Sequence, residues 1–147
     1  MRIASVALLI TCLGGCSSGQ PKSGWEYSPT SGAYEPRLAY RFSDADNTTL
    51  IGSCEGEPHF MMAYGNWEGP EFTVTADGKS WRFHTSQSEH GHYLVVDGYE
   101  ANHAIANAAT GISFQVGNWR RELKPAEPLR KFVADCSYGQ LSTHSGH

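Results

Sequence analysis

Seven histidines are the side chains of this sequence that suggest metal chemistry: His59, His84, His90, His92, His103, His144 and His147. His90 and His92 follow Glu89 with one glycine between them, so an extended backbone places both imidazoles on one side of the chain. Such a pair binds Zn²⁺ or Cu²⁺ once a third and a fourth ligand join it. The other interpretation is that all seven are surface and loop histidines that titrate near neutral pH. We favour the latter and expect no cofactor, so that a metal site at His90 and His92 is the alternative hypothesis.

Catalytic machinery is the second kind of chemistry to consider. Ser, His and Asp all occur, but composition alone does not assemble a catalytic triad, and the sequence has no HExxH motif. A group of glutamates near Trp67 is explained by surface solubility, because a glycosidase requires two carboxylates at a defined separation. The group consists of Glu55, Glu57, Glu68 and Glu71. The sequence therefore predicts a protein that is not an enzyme.

Two tryptophans are predicted to contact a partner. Trp67 follows Gly65-Asn66 and Trp119 follows Gly117-Asn118, and such pairs are typical of loops. Trp81, by contrast, alternates with polar residues in a predicted strand and is expected in the core. Trp67 and Trp119 are thus the candidate contacts with a peptide or a glycan.

The size and charge of the chain limit its partners. It has 147 residues, which is enough for one ordinary domain. It carries 11 Lys and Arg against 15 Asp and Glu, with no run rich in Lys and Arg. No nucleic-acid partner is therefore expected.

The N-terminal segment has the form of an export signal. Arg2 precedes the short apolar run Ile3–Leu13, which is well below the roughly 20 residues that a membrane span needs. The tetrapeptide Leu13-Gly14-Gly15-Cys16 resembles the lipobox of bacterial lipoproteins. That resemblance implies cleavage before Cys16 and lipidation of its thiol, and Cys12, which follows the β-branched Thr11, fits the pattern less well.

The resemblance also implies where the protein resides. Acyl chains on Cys16 would anchor it to a membrane, and Ser17 in place of Asp implies the outer membrane, with the domain in the periplasm. Residues 16–36 are rich in Ser, Gly and Pro and show no apolar period, which predicts a flexible tether after a signal peptide over residues 1–15. About 20 such residues span roughly 25 Å.

Two cysteines remain once Cys12 is removed and Cys16 is lipidated. Cys54 and Cys136 are predicted to form a disulfide, because an exported protein is in an oxidising compartment. A catalytic or redox thiol is the alternative, but the sequence contains no CxxC motif.

The domain is predicted to span residues 37–136 and to be mainly β. Its clearest element is a hairpin over residues 71–84, in which Asp77-Gly78 joins two alternating runs. Further strands are expected over the ranges 38–42, 49–54, 59–64, 93–96 and 112–116.

Two helices complete the predicted fold. One lies in the Ala-rich range 100–109, and the other begins near Pro128 and places Leu129, Phe132 and Cys136 on one face. The fold class is therefore a small antiparallel β-sandwich or half-barrel with a C-terminal helix stapled by a disulfide. Residues 137–147 are predicted to be a disordered tail.

The arrangement loosely resembles two groups of small bacterial envelope proteins, the invasion-associated locus B type and the VasI-type accessory lipoproteins. The similarity lies in residues 49–54, which end in Cys54, and in the segment from Pro128 to Cys136. It implies the architecture and no catalytic residue. We expect a lipid-anchored, non-catalytic module that binds an envelope protein or a glycan; the alternative is a metal-binding lipoprotein.

Overall fold

The computed structural model describes residues 24–29, 35–88 and 91–144. This part of the chain is mainly β, with two antiparallel sheets and two helices, which confirms the predicted fold class. The elements are β1 (Gly24–Ser28), β2 (Arg37–Arg41), β3 (Thr49–Cys54), β4 (Pro58–Ala63), β5 (Glu71–Ala76), β6 (Lys79–His84), β7 (Ser86–Ser88), β8 (Gly91–Val95), α1 (Tyr99–Ala106), β9 (Ile112–Val116), β10 (Trp119–Leu123) and α2 (Glu127–His144).

The strands form a six-stranded sheet in the order β1-β2-β3-β4-β8-β7 and a four-stranded sheet in the order β10-β9-β5-β6. The hairpin β5–β6 has the predicted register, with Val74 opposite Trp81. Asp77 and Gly78 have φ values of 48° and 85°, and a type I′ turn requires a positive φ at both of these positions. Turn chemistry and the alternation of apolar residues thus specify the same pairing.

The structure corrects the predicted tether. Residues 24–28 lie within it, yet they form β1, which pairs with β2 at the edge of the six-stranded sheet. Trp25 and Tyr27 alternate along this strand and pack against the core. Two apolar side chains at period 2 are enough to bury one face of an edge strand, although Ser, Gly and Pro surround them.

The C-terminal helix is longer than predicted. α2 runs to His144, through most of the range 137–147 that was predicted to be disordered, and residues 145–147 lie outside the described residues. Within the part of the chain that the structure describes, no helix is long and apolar enough to cross a membrane.

One core joins both sheets and both helices. Phe132 of α2 packs edge-on against Phe60 of β4, with ring centroids 6.0 Å apart. Gly52 lies beneath this contact, and a Cβ there would be 3.2 Å from the Phe132 ring. The helix therefore approaches the sheet closely because β3 has no side chain at that point.

The predicted disulfide is present. Cys54 at the end of β3 and Cys136 in α2 are bonded, with their Cα atoms 5.7 Å apart and the two residues 82 positions apart in sequence. Both residues are buried. The bond holds α2 on the inner face of the six-stranded sheet.

Asn102 is a buried polar anchor for α1. Its side-chain amide donates to the carbonyls of Val96 and Gly98, and its Oδ1 accepts from the amide of Phe60. The side chain is 3% exposed. Three backbone groups that α1 removes from water are thereby satisfied.

Loss of the disulfide is expected to destabilise the domain strongly. A Cys54→Ser/Cys136→Ser variant should lose about 4–5 kcal/mol of unfolding free energy, because the cross-link closes a long loop in the unfolded chain. Urea denaturation with and without reductant measures this loss, and the double variant should not respond to reductant. A loss below about 1 kcal/mol would show that α2 docks through its apolar face alone.

Asn102→Ala is expected to cost about 2–4 kcal/mol, since it leaves the buried Phe60 amide and Val96 carbonyl without the partner that Asn102 provides. The control is Asn107→Ala at the exposed end of the same helix, which should cost less than about 1 kcal/mol. Urea denaturation midpoints of the two variants measure both losses of stability. Equal losses would show that the buried Asn102 amide stabilises the fold no more than the exposed Asn107 amide does.

Candidate ligand-binding cleft

A cleft of about 790 Å³ opens where the edges of the two sheets approach each other. β1 is the edge of one sheet and β10 the edge of the other. Trp25 Nε1 of β1 donates to the carbonyl of Lys124, just after β10, over 3.1 Å. The side chains that line the cleft include Trp25, Tyr40, Asp77, Arg120, Glu122 and Lys124, together with Thr75 and Ser113 on the outer face of the four-stranded sheet.

The aromatic wall of the cleft is built by two neighbouring strands. Trp25 of β1 and Tyr40 of β2 are directly opposite each other, and their rings meet edge to face with centroids 4.9 Å apart. Phe42 supports Tyr40 in the same way at 4.8 Å. Both wall residues are half-buried, so the wall is rigid and still offers ring surface to a ligand.

The opposite wall is the outer edge of β10. Val116 and Trp119 are the last pair of the β9–β10 hairpin, and Gly117 has the positive φ, 55°, that a two-residue hairpin turn uses. In such a hairpin every second residue directs its N–H and C=O away from the partner strand. In β10 these are Arg120 and Glu122, whose backbone groups have no backbone partner among the described residues.

The rim is polar and fixed. Arg120 Nε donates to Glu122 over 3.0 Å. Asp77 lies at the β5–β6 turn and accepts hydrogen bonds from the amides of Ala109, Thr110 and Gly111. These backbone donors, together with the Thr110 hydroxyl, hold the pKa of the Asp77 carboxyl far below its ordinary value. The carboxylate thus fastens the α1–β9 loop to the hairpin that borders the cleft.

Trp67 and Trp119, the predicted partner contacts, do not line this cleft. Trp67 is 5% exposed, and its ring lies 5.0 Å from that of Trp119. A Cβ on Gly65 would be 1.9 Å from the Trp67 ring, so the tryptophan lies flat over a glycine. The Arg121 guanidinium covers Trp119. The two indoles therefore pack on each other, with Trp67 buried and Trp119 half-buried, and their contact with a partner stays a prediction.

An ion pair next to Trp119 joins the two sheets. Arg121 of β10 donates to Asp44, in the β2–β3 turn, over 2.9 Å. Burial alone would raise the pKa of Asp44, but hydrogen bonds from Thr48 and Arg121 outweigh it and lower the pKa. Asp44 therefore stays charged and holds β10 in place.

The remaining predicted site residues divide into two groups. Cys54 and Cys136 form the disulfide, whereas Cys16 and His90 lie outside the described residues. His92 is in β8, opposite Gln87 in the register, but its side chain is not among those described. Across residues 24–29, 35–88 and 91–144, no group of three or more His, Cys, Asp and Glu is placed to hold a metal ion.

The cleft residues were missed because they come from parts of the chain assigned to other roles. Trp25 lies in the predicted tether, and β10 was not predicted at all. Alternation of Trp25 with Tyr27, and of Leu38 with Tyr40, is the sequence signal that indicates two paired strands.

Comparison with known proteins assigns the chain to no family: no protein-family model, curated protein or solved structure matches it.

Asp77→Asn should destabilise the protein at neutral pH and progressively less in acid. The folded state lowers the Asp77 pKa below 3.8, so the ionised carboxylate stabilises the fold above that pH. This contribution is lost as the pH falls through the folded-state value. The difference in melting temperature between the wild type and Asp77→Asn should be constant above about pH 5 and shrink below about pH 4. A difference that does not change with pH would refute this role for the charge.

Proposed function

We propose that this protein is a lipid-anchored cell-envelope protein whose β-domain binds an extended polypeptide segment without catalysing a reaction. The observation that carries the proposal is the cleft between β1 and β10. Its volume, about 790 Å³, lies within the range of roughly 300–1,000 Å³ that is usual for ligand sites.

The chemistry of the two walls favours a polypeptide. The free edge of β10 offers the N–H of Arg120 and both the N–H and the C=O of Glu122, and an extended peptide can add to them as a further strand. The Arg120 carbonyl accepts from Arg121 Nη1 over 2.8 Å, so a peptide would displace or share that bond. The rings of Trp25 and Tyr40 provide an apolar surface for alternate side chains of that peptide. A glycan also stacks on aromatic rings, but it has no peptide backbone that could pair with N–H and C=O groups at strand spacing.

The lipid anchor is supported by the leader. Leu13-Gly14-Gly15-Cys16 resembles a lipobox, and the apolar run before it is of export-signal length. The Cys54–Cys136 disulfide is consistent with an exported protein, since such bonds persist in oxidising compartments. Attachment to the outer membrane with the domain in the periplasm is part of the proposal.

A proline at Glu122 tests the edge-strand mode of binding. The Glu122 N–H points away from β9, so Glu122→Pro removes a donor from the cleft without breaking a hairpin hydrogen bond. Glu122→Gln keeps the N–H and also removes the Arg120 ion pair, which makes it the matched control. A photo-crosslinking amino acid at Lys124, in the cleft, should give a polypeptide adduct in cells that Glu122→Pro reduces at least about tenfold and Glu122→Gln leaves nearly unchanged.

The same crosslinker at Tyr64, an exposed residue just after β4 that does not line the cleft, serves as the positional control. Equal adducts at Lys124 and Tyr64, or no adduct at Lys124, would reject the cleft as the binding site. An adduct that a glycosidase digests and a protease does not would reject a polypeptide ligand in favour of a glycan.

A further inference from the structure

The outer faces of the two sheets differ in character. On the four-stranded sheet the outward side chains are polar, as is usual for an antiparallel sheet with one face in water. They include Thr73, Thr75, Arg82, Ser113, Gln115 and Arg120, which follow the register across its strands. This face is the internal reference for what a solvated surface of this protein looks like.

The outer face of the six-stranded sheet, by contrast, carries a row of apolar side chains. Ala39, Ile51, Met61 and Val95 are successive register partners across β2, β3, β4 and β8. They point outward, because their neighbours Leu50, Met62 and Leu94 point into the core. Val95 is 44% exposed and the other three are half-buried. We call these four residues the apolar stripe.

Neither helix covers the apolar stripe. α2 packs on the opposite side of the sheet through Phe132 and Phe60, and Asn102 ties α1 to that same inner side. A row of adjacent apolar side chains on an exposed sheet face is typical of an interaction surface. Such a surface is expected to have a partner that covers it.

The distance from the proposed lipid to the first strand points to a membrane. Because β1 begins at Gly24, only residues 17–23 separate the sheet from Cys16, instead of a tether of about 20 residues. Whatever their conformation, that length of chain spans at most about 30 Å. Anchored this closely, the domain meets the bilayer at a high effective concentration, so a weak surface affinity is enough to orient it.

The charges around the apolar stripe suit an anionic surface. The charged residues beside it are Arg37, Arg41 and Glu26, and Arg41 Nε lies 3.7 Å from Glu26. At one end of the stripe the Glu57 carboxylate lies 3.9 Å from His59 Nε2. Arg37 is exposed and forms no ion pair within the described residues. One arginine near an anionic bilayer raises membrane affinity about fivefold.

We propose that the apolar stripe rests on the anionic phospholipid surface to which the protein is anchored. This inference rests on the lipid anchor of the proposed function. Trp25 and Tyr40 belong to the inner side of the same sheet, so this orientation turns the cleft away from the bilayer. A polypeptide partner then has free access to β10.

Photo-crosslinking to lipid tests this orientation. The full mature protein, extracted from cells with its lipid, is reconstituted into vesicles of phosphatidylethanolamine and phosphatidylglycerol that contain a phospholipid with a photoreactive group at the top of one acyl chain. Mass spectrometry then locates the adducts. We expect them on the peptides that carry Ile51, Met61 and Val95, and a fall of about two- to fivefold when phosphatidylcholine replaces phosphatidylglycerol.

Paired substitutions provide the matched comparison. Ile51→Glu/Met61→Glu places two charges on a cross-strand pair of the stripe, and Thr73→Glu/Gln115→Glu places two on a cross-strand pair of the polar face. The first should reduce adducts at least about tenfold, since two carboxylates oppose contact with an anionic, apolar surface. The second should change them less than twofold. Ile51→Thr/Met61→Gln is a milder pair should the charged one not fold, and the adduct map of the wild type requires no substitution.

Flotation of the vesicles separates this inference from the anchor. If alkaline carbonate strips the protein from the vesicles, the anchor fails and the orientation fails with it. If the protein floats but its adducts spread evenly or map to Thr73 and Gln115, the orientation alone is wrong. A photo-crosslinking amino acid in place of Ile51 that joins two protein chains would also overturn it, because the stripe would then be a dimer interface.

Discussion

The Cys54–Cys136 disulfide is the constraint on which the rest of the structure depends. It joins the end of β3 to the last helix and so encloses most of the domain in one covalent loop. With α2 held against the sheet, Phe132 can occupy the space above Gly52 and complete the core. A chain of this size has a small core, and a cross-link that limits the unfolded state offsets much of that deficit.

Once α2 occupies the inner face of the six-stranded sheet, the two sheets cannot close on each other along their whole length. Their edges β1 and β10 remain apart, bridged by the Trp25 hydrogen bond to Lys124. The cleft is thus a consequence of how the helix is accommodated. The apolar stripe lies on the other side of the same sheet, so the two proposed surfaces do not compete for space.

Local chemistry made much of the fold predictable. Asp77-Gly78 specified the β5–β6 register because both turn positions need a positive φ. The spacing of Leu129, Phe132 and Cys136 predicted the face of α2 that is buried. The candidate site was less predictable: Trp67 was assigned to a partner surface because it follows a Gly-Asn pair, yet that glycine is the surface on which its ring packs.

The sequence by itself determined the hairpin, most strands and the fold class, because each depends on alternation or turn chemistry over a few residues. It also determined the disulfide partners, because only two cysteines remain outside the predicted leader and its lipobox. Only the tertiary structure decided that Trp25 joins Tyr40 in a cleft, that Trp67 meets Trp119, and that apolar residues of four strands align in one row. These contacts join residues far apart in the chain. Their partners are set by sheet order and helix placement, which no local pattern encodes.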